Sequence, residues 1–341
     1  MDEFIFYYPK GHEAHFEPGH PERPERVEAI RQSLDAAGWW QKYPKIEPTG
    51  DFDDCLASVH TPEYLSDLKA ASAKGRHLDM DTYTTPASWQ IAYHTAGGAA
   101  AVASAVWKGQ AQTGFALTRP PGHHATPSRG MGFCLLNNVA VAAEYLLQKE
   151  KAQRLAIVDL DLHHGNGTQE VFWRSPAVLY ISTHQYPHYP GTGRMEDRGA
   201  GNGLGTTANI PFPPMSGDRA FQAAMEQLII PLLDRYQPQM ILVSIGFDAH
   251  WRDPLGYLLL SAKTQGNLIS KLKAWAGQYC GGKIALFLEG GYDLEAGAAC
   301  AQACVAALTG QDWQDPIGPS PKEEGSAWIP VVRQARTLWE L

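Results

Sequence analysis

Residues 155–167 read Leu-Ala-Ile-Val-Asp-Leu-Asp-Leu-His-His-Gly-Asn-Gly, an apolar run that passes into acids, imidazoles and an amide. The apolar part predicts a strand over Leu155–Leu160, buried on both faces as in a parallel sheet. The polar residues that follow would lie at the carboxyl end of this strand, where open α/β sheets bind their ligands. This stretch therefore predicts an α/β fold with a functional site at one sheet edge.

Similar apolar runs recur along the chain, with helical patterns between them. The other predicted strands are Phe4–Tyr8, Gly114–Leu117, Val178–Ile181, Met240–Ile245 and Ile284–Leu288. The predicted helices are Pro86–Lys108 (with Thr85 as its cap), Asn137–Lys149, Gly217–Tyr236, Ser261–Gln278, Leu294–Leu308 and Trp328–Leu341. This alternation predicts a predominantly parallel, doubly wound sheet flanked by helices.

No linker or internal repeat divides the chain, so we expect one domain over residues 1–341. Its chemistry-bearing part spans about 1–310, and the tail 311–341 should pack on the outside. Two segments rich in Gly, Pro and His, 119–135 and 183–209, are predicted loops. Loops of this length inside a compact domain are usually functional.

Composition narrows the classes of function. The formal net charge of −8 disfavours binding to nucleic acid and mildly favours cationic substrates. No apolar run is long enough to cross a membrane. Five cysteines without metal-ribbon spacing, and a start at Met1-Asp2-Glu3 without signal-peptide character, lead us to expect a cytoplasmic protein.

Three residues are candidate metal ligands. Asp161 and His163 are two apart in extended chain, so their side chains point the same way. Asp248, after another predicted strand, could be the third ligand and would leave one position open, as catalytic zinc requires. An isolated Asp-x-His would more often be a solvated loop with capping aspartates. The density of polar groups over 159–167 favours the metal site instead.

Three further residues suggest catalysis. His123 and His124 follow the rigid turn Arg119-Pro-Pro-Gly, and a neutral imidazole held near a metal could take and return a proton. Tyr292 follows two glycines at another predicted strand end. Its hydroxyl could donate a hydrogen bond to the oxyanion of a tetrahedral intermediate.

Seven motifs, in this order along about residues 1–310, resemble the arginase/deacetylase fold. More narrowly, they resemble the zinc-dependent histone deacetylase and acetylpolyamine amidohydrolase family. The motifs are His20–Arg26, Arg119–His124, Gly130–Cys134, Asp159–Gly167, Pro190–Gly193, Gly246–Asp248 and Glu289–Tyr292.

The resemblance implies a role for each matched residue. Zn²⁺ would be bound by Asp161, His163 and Asp248. His124 would be the main general base and acid, with His123 assisting electrostatically; Asp159 would orient His123, and Asn166 would orient His124. Tyr292 would polarise the acetyl carbonyl. The substrate channel would be lined by Gly132, Phe133 and Tyr189, with Asp81 on its rim.

The resemblance also implies cations behind the zinc site. Potassium would be held by Asp159, Ser182 and Thr183, with the backbones of Asp161 and His163. A second cation would lie near Phe172, Ser175 and Val178.

Two positions indicate the subfamily. Asn166 stands where class I enzymes carry aspartate, whereas class II and bacterial relatives carry asparagine at this position. Leu255 stands where a specialised polyamine deacetylase carries a glutamate gatekeeper. An apolar residue there favours acetyl-lysine or another neutral acyl amide over charged spermidine.

The resemblance thus implies hydrolysis of an N-acyl amide, most simply acetyl-lysine in a peptide or protein, with release of acetate. Alternatives are an acetylpolyamine or other small acetylated amine as substrate, a non-catalytic binder of acetyl amides, and arginase-like hydrolysis with two manganese ions. The last needs further aspartates, but Gly165-Asn166 follows the two histidines. The sequence leaves the oligomeric state open, a homo-oligomer included.

Overall fold

A seven-stranded sheet forms the centre of the protein in a computed structural model, which describes residues 2–341. The strands are β1 (Asp2–Tyr7), β2 (Ala111–Ala116), β3 (Leu155–Asp159), β4 (Val178–Gln185), β5 (Thr207–Phe212), β6 (Ile241–Ile245) and β7 (Ile284–Leu288). Their order is β1-β2-β7-β6-β3-β4-β5, and every pairing is parallel. The predicted parallel α/β architecture is therefore confirmed.

Helices cover both faces of the sheet. They are α1 (Glu25–Ala36), α2 (Trp39–Lys42), α3 (Asp53–Val59), α4 (Pro62–Lys74), α5 (Ser88–Trp107), α6 (Asn138–Gln148), α7 (Asn166–Phe172), α8 (Asp218–Ala224), α9 (Ile230–Tyr236), α10 (Ala262–Tyr279), α11 (Leu294–Thr309) and α12 (Trp328–Trp339). One apolar core joins α1, α10 and α11 to the sheet, and a second joins α5 and α6 to the opposite face. Burial on both faces explains why the strands read as unbroken apolar runs.

The strand order decides where the polar motifs meet. β3 lies between β4 and β6, and β6 pairs with β7, so three motif-bearing strands are neighbours. Because all strands run in the same direction, their carboxyl ends share one edge. The segments that begin at Asp159, Gly246 and Glu289 therefore meet there, although they are far apart in sequence.

Several local predictions are corrected by the structure. The expected loop 183–209 is shorter, because β4 runs to Gln185 and an unpredicted edge strand, β5, begins at Thr207. Pro211 obscured β5, and an edge strand tolerates proline since one side of its backbone needs no partner. The helix predicted over 217–236 contains a π-helical segment, Met225–Ile229, between α8 and α9.

Other helix boundaries also shift. The sequence did not indicate α1–α4, and α5 begins at Ser88 rather than after a Thr85 cap. The caps of α6 and α10 are better defined, since Asn137 and Ser261 accept hydrogen bonds from backbone N–H groups in the first turn. The tail helix α12 buries Val332, Ala335 and Trp339 against the domain.

A buried ion cluster joins the N-terminal segment to the sheet edge. Glu22 accepts two hydrogen bonds from Arg119, at 2.8 and 3.0 Å, and one from Arg26 at 3.0 Å. Burial would raise the pKa of Glu22, but the two guanidinium groups lower it to about 2. The ionised cluster holds Arg26 beneath the segment that carries Tyr292.

No helix within residues 2–341 combines the length and apolar character needed to traverse a bilayer.

Candidate metal and catalytic site

The three predicted metal ligands come together at the carboxyl edge of the sheet. Ligand atoms of Asp161, His163 and Asp248 all lie within 4.8 Å of one another, and the three residues are buried. His163 Nδ1 is 3.3 Å from an Asp161 oxygen and 3.0 Å from an Asp248 oxygen. Two carboxylates and one imidazole form a donor set that suits Zn²⁺ and leaves room for a fourth ligand.

The backbone around these ligands is closely fitted to them. Gly290 donates its N–H to Asp161 at 2.8 Å, and Leu162 donates its N–H to Asp248 at 2.9 Å. A side chain at position 290 would overlap both carboxylates, which explains the glycine there. Burial would lower the pKa of His163, but Asp161 and Asp248 raise it to about 9. The excess of negative charge is what a divalent cation would neutralise.

Each histidine of the predicted pair has its own partner. His123 Nδ1 lies 3.1 Å from Asp159 Oδ2, which also accepts the Tyr180 hydroxyl at 3.0 Å. His124 Nδ1 lies 2.8 Å from the Asn166 side-chain oxygen. Because that oxygen only accepts, His124 carries its proton on Nδ1, and its Nε2 is left with a free lone pair.

The pKa values of the two imidazoles shift in opposite directions. Burial opposes ionisation of His123, but Asp161 and Asp159 raise its pKa to about 10. Burial, with the neighbouring His123 and His163, lowers the pKa of His124 well below its usual range. The site therefore pairs a cationic ring with a neutral ring that can accept a proton.

Tyr292 stands at the same cavity and is well supported. The Arg26 guanidinium lies 4.8 Å from its ring centre and donates to the Gly291 carbonyl at 2.6 Å. The Phe133 ring meets it edge-on at 5.7 Å. The hydroxyl makes no hydrogen bond to any residue from 2 to 341. Burial raises its pKa well above the usual value, so the hydroxyl keeps its proton and remains a donor.

A cavity of about 220 Å³ connects these groups to the surface. Among its lining residues are the five predicted to contact substrate, namely Asp81, Gly132, Phe133, Tyr189 and Leu255. His124, His163 and Tyr292 line it as well, so the proposed base, one metal ligand and the phenol share one cavity.

One wall residue was missed from the sequence. His188 lines the cavity, stacks on His163 with ring centres 5.2 Å apart, and lies 2.9 Å through Nε2 from the Leu255 carbonyl. The signal available was its place beside Tyr189, but nothing in the sequence shows which way a loop side chain points.

Glu289, the first residue of the Glu289–Tyr292 motif, is a functional residue whose contacts the sequence did not predict. Its buried carboxylate accepts the N–H groups of Gly122 at 2.7 Å and His123 at 3.1 Å, and the Ser244 hydroxyl at 3.0 Å. Burial raises its pKa to about 7. Glu289 thus joins the turn that carries the histidine pair to the strand end that carries Tyr292.

A second group of potential metal ligands, His123, Cys134 and Glu289, lies nearby. The hydrogen bonds just described already engage His123 and Glu289. This arrangement lacks the shared carboxylates of a two-metal centre, which weighs against the dimanganese alternative.

The predicted potassium residues also lie close together. Thr183 donates its hydroxyl to the Asp159 carbonyl at 3.4 Å, and Ser182 pairs with Asp159 across β3 and β4. For the second cation, Ser175 donates its N–H to the Phe172 carbonyl at 2.9 Å, and Val178 begins β4. Both cation sites stay predictions.

Known proteins resemble this chain in sequence and structure. The family model for the histone deacetylase domain matches residues 20–308 of this chain. A "probable deacetylase" of Archaeoglobus fulgidus is 40% identical over 298 residues, which are 86% of this chain and 83% of that protein. The "histone deacetylase-like amidohydrolase" of Pseudomonas aeruginosa is 37% identical over 294 residues, 86% of this chain and 77% of that protein. The crystal structure of the HDA15 HD domain aligns with a TM-score of 0.90 and 34% identity, covering 99% of this chain and 95% of that one. The resemblance inferred from the sequence motifs is confirmed.

Proposed function

The chain belongs to the histone deacetylase family, and from that premise we propose that it is a zinc-dependent hydrolase of acetyl-lysine in peptides or proteins. One observation carries the proposal. A three-ligand metal site, a neutral imidazole and a free phenol hydroxyl all face one narrow cavity. These groups together can polarise an amide carbonyl, activate water and protonate the departing amine.

Asp161, His163 and Asp248 would hold the zinc ion, which when bound supplies Lewis-acid polarisation of the acyl oxygen and acidifies water. His124 Nε2 accepts the proton of the attacking water and later delivers it to the departing amine. Asn166 keeps His124 in the required tautomer, since its oxygen accepts the Nδ1 proton. His123, held by Asp159 at 3.1 Å, would assist electrostatically as negative charge develops on the acyl oxygen.

Tyr292 contributes the remaining hydrogen bond. Its hydroxyl makes no hydrogen bond within residues 2–341 and would donate to the acyl oxygen as that oxygen gains negative charge. The channel walls formed by Gly132, Phe133 and Tyr189 would surround the aliphatic side chain that carries the acetyl group.

The cavity favours an extended, neutral chain. Phe133 and Leu255 give it apolar walls, and Leu255 offers no carboxylate to a charged polyamine. We therefore place acetyl-lysine ahead of acetylspermidine as the substrate. Asp81, which lines the cavity, would hold the substrate backbone, and K⁺ would bind behind the zinc site.

The deciding experiment is steady-state kinetics on three substrates after restoration of zinc: an acetyl-lysine peptide, N8-acetylspermidine and a longer acyl-lysine peptide. Acetate release from the acetyl-lysine peptide with the highest kcat/KM is expected. The matched inactive variant is His124→Ala, which removes the proposed base. Faster turnover of acetylspermidine would replace the substrate assignment. Tight binding of the peptide without release of acetate would identify a non-catalytic binder, and two equivalents of bound manganese would revive the arginase-like alternative.

A further inference from the structure

One buried carboxylate touches both a wall of the channel and the segment that carries Tyr292. Asp253 is 6% exposed and follows β6, whose end also provides Asp248. Its Oδ2 accepts the N–H of Tyr292 at 2.6 Å and that of Asp293 at 3.2 Å. Its Oδ1 accepts the N–H of Leu255 at 2.9 Å.

The two segments joined by Asp253 have different tasks. Leu255 lines the cavity, and its carbonyl is held from the other side by His188. Tyr292 provides the hydroxyl that faces the acyl oxygen. The wall and the catalytic phenol are 37 residues apart in sequence, and the carboxylate binds their backbones directly.

The chemistry of this contact requires a carboxylate. Three N–H donors converge on two oxygens, and an amide side chain at this position would offer only one accepting oxygen. Burial and the neighbouring Asp248 raise the pKa of Asp253 to about 7, while the three N–H donors act against that rise. The hydrogen bonds that the Asp253 carboxylate accepts within residues 2–341 all come from backbone N–H groups. Asp253 does not line the cavity, so it would fix the backbone near the site without contacting the substrate.

We propose that Asp253 is a positioning residue that sets the phenol of Tyr292 against the wall formed by Leu255, so that the hydroxyl meets the acyl oxygen of a seated substrate. This inference rests on the proposed function. Loss of Asp253 weakens polarisation of the carbonyl through displacement of Tyr292.

The test compares Asp253→Asn with the wild type on two peptides that differ only in the acyl group, acetyl-lysine and trifluoroacetyl-lysine. The fluorines make the carbonyl carbon more electrophilic than that of an acetyl group, so hydrolysis of the trifluoroacetyl amide depends less on the tyrosine hydroxyl. We expect kcat/KM on acetyl-lysine to fall by about 10- to 100-fold, the usual cost of losing an outer partner of a site residue. On trifluoroacetyl-lysine the fall should be no more than about threefold, because less polarisation is needed.

A double-mutant cycle tests the route of the effect. In a Tyr292→Phe background the hydroxyl is already absent, so on the acetyl-lysine peptide Asp253→Asn should lower kcat/KM by less than about threefold, against about 10- to 100-fold in the wild type. The matched control is Asp315→Asn. Asp315 also accepts three backbone N–H groups, from Lys263, Ile317 and Gly318, but it does not line the channel. Its substitution should leave both activities unchanged.

The outcomes separate the inference from the proposed function. Equal losses on both peptides, or full multiplicativity with Tyr292→Phe, would overturn the positioning role while the deacetylase activity stands. A wild type inactive on both peptides would refute the proposed function and this inference with it. If Asp253→Asn does not fold, Asp253→Glu keeps the charge but shifts the oxygens by one methylene, and the same selective loss on acetyl-lysine is expected.

Discussion

Tyr292→Phe removes a single oxygen from the proposed site, and the structure separates its effect on catalysis from its effect on stability. The ring contacts with Arg26, at 4.8 Å, and with Phe133, at 5.7 Å, do not involve the hydroxyl and are kept by phenylalanine. The hydroxyl makes no hydrogen bond to any residue within 2–341, so no partner is left unpaired. The free energy of unfolding should therefore change by less than about 0.5 kcal/mol.

Catalysis should respond very differently. If the hydroxyl donates to the acyl oxygen only as negative charge develops there, its loss removes one preorganised donor, which costs about 10²–10³ in kcat, or about 3–4 kcal/mol. The assay is acetate release from an acetyl-lysine peptide, paired with urea denaturation of the same samples. Tyr257→Phe is the control, because Tyr257 is 65% exposed outside the cavity and loses the same hydroxyl. A Tyr292→Phe enzyme within threefold of wild-type kcat would refute the assigned role.

Four other predictions follow from the same geometry. Asp248→Ala should lower zinc content, measured by elemental analysis, and reduce turnover by about 10³-fold or more, since one of three ligands is lost; wild-type activity in the purified variant would disprove the metal assignment. Asn166→Ala should lower kcat/KM by about 10- to 100-fold because His124 loses the partner that fixes its tautomer, whereas Asn166→Asp keeps an acceptor and should retain more activity; equal losses in the two variants would contradict this reading. Leu255→Glu should raise the ratio of kcat/KM for N8-acetylspermidine to that for acetyl-lysine peptide by about tenfold or more, and an unchanged ratio would remove Leu255 from the specificity argument. Burial would raise the pKa of Glu22, but the two buried arginines lower it to about 2, so the stability that ionised Glu22 contributes is complete above pH 4.5 and is lost as pH falls toward 2. Glu22→Gln should therefore lower the free energy of unfolding at pH 7, measured with urea, by about 3–5 kcal/mol. The difference in unfolding free energy between variant and wild type should narrow below pH 4.5, and a difference that stays constant with pH would contradict the assignment.

Local sequence patterns were enough to predict most of the fold. Six of the seven strands could be predicted because a parallel sheet buried on both faces requires unbroken apolar runs, and β3 shows this most clearly. β5 was missed because its edge position accepts Pro211, a residue that argues against a strand when only sequence is considered. The π-helical segment Met225–Ile229 could not be anticipated, since it depends on how the helix meets its neighbours rather than on its own composition.

The residues of the site likewise fall into those that the sequence predicted and those that only the structure revealed. Asp161 and His163 could be paired from sequence because extended chain places alternate side chains on one side. The histidines and Tyr292 were indicated by rigid or glycine-rich turns that follow predicted strands. The contacts made by Asp253, Glu289 and His188 could not be foreseen, because each joins segments that lie far apart in the chain.

By itself, the sequence determined the α/β class, the donor types for a metal ion and the family to which the chain belongs. These depend on periodicity, residue chemistry and short spacings, which are local properties of a chain. Only the tertiary structure decided that Asp248 meets His163 at 3.0 Å and that one carboxylate holds both the channel wall and Tyr292. Those contacts follow from the order of parallel strands, which brings distant segments to one edge and is set by the packing of the whole domain.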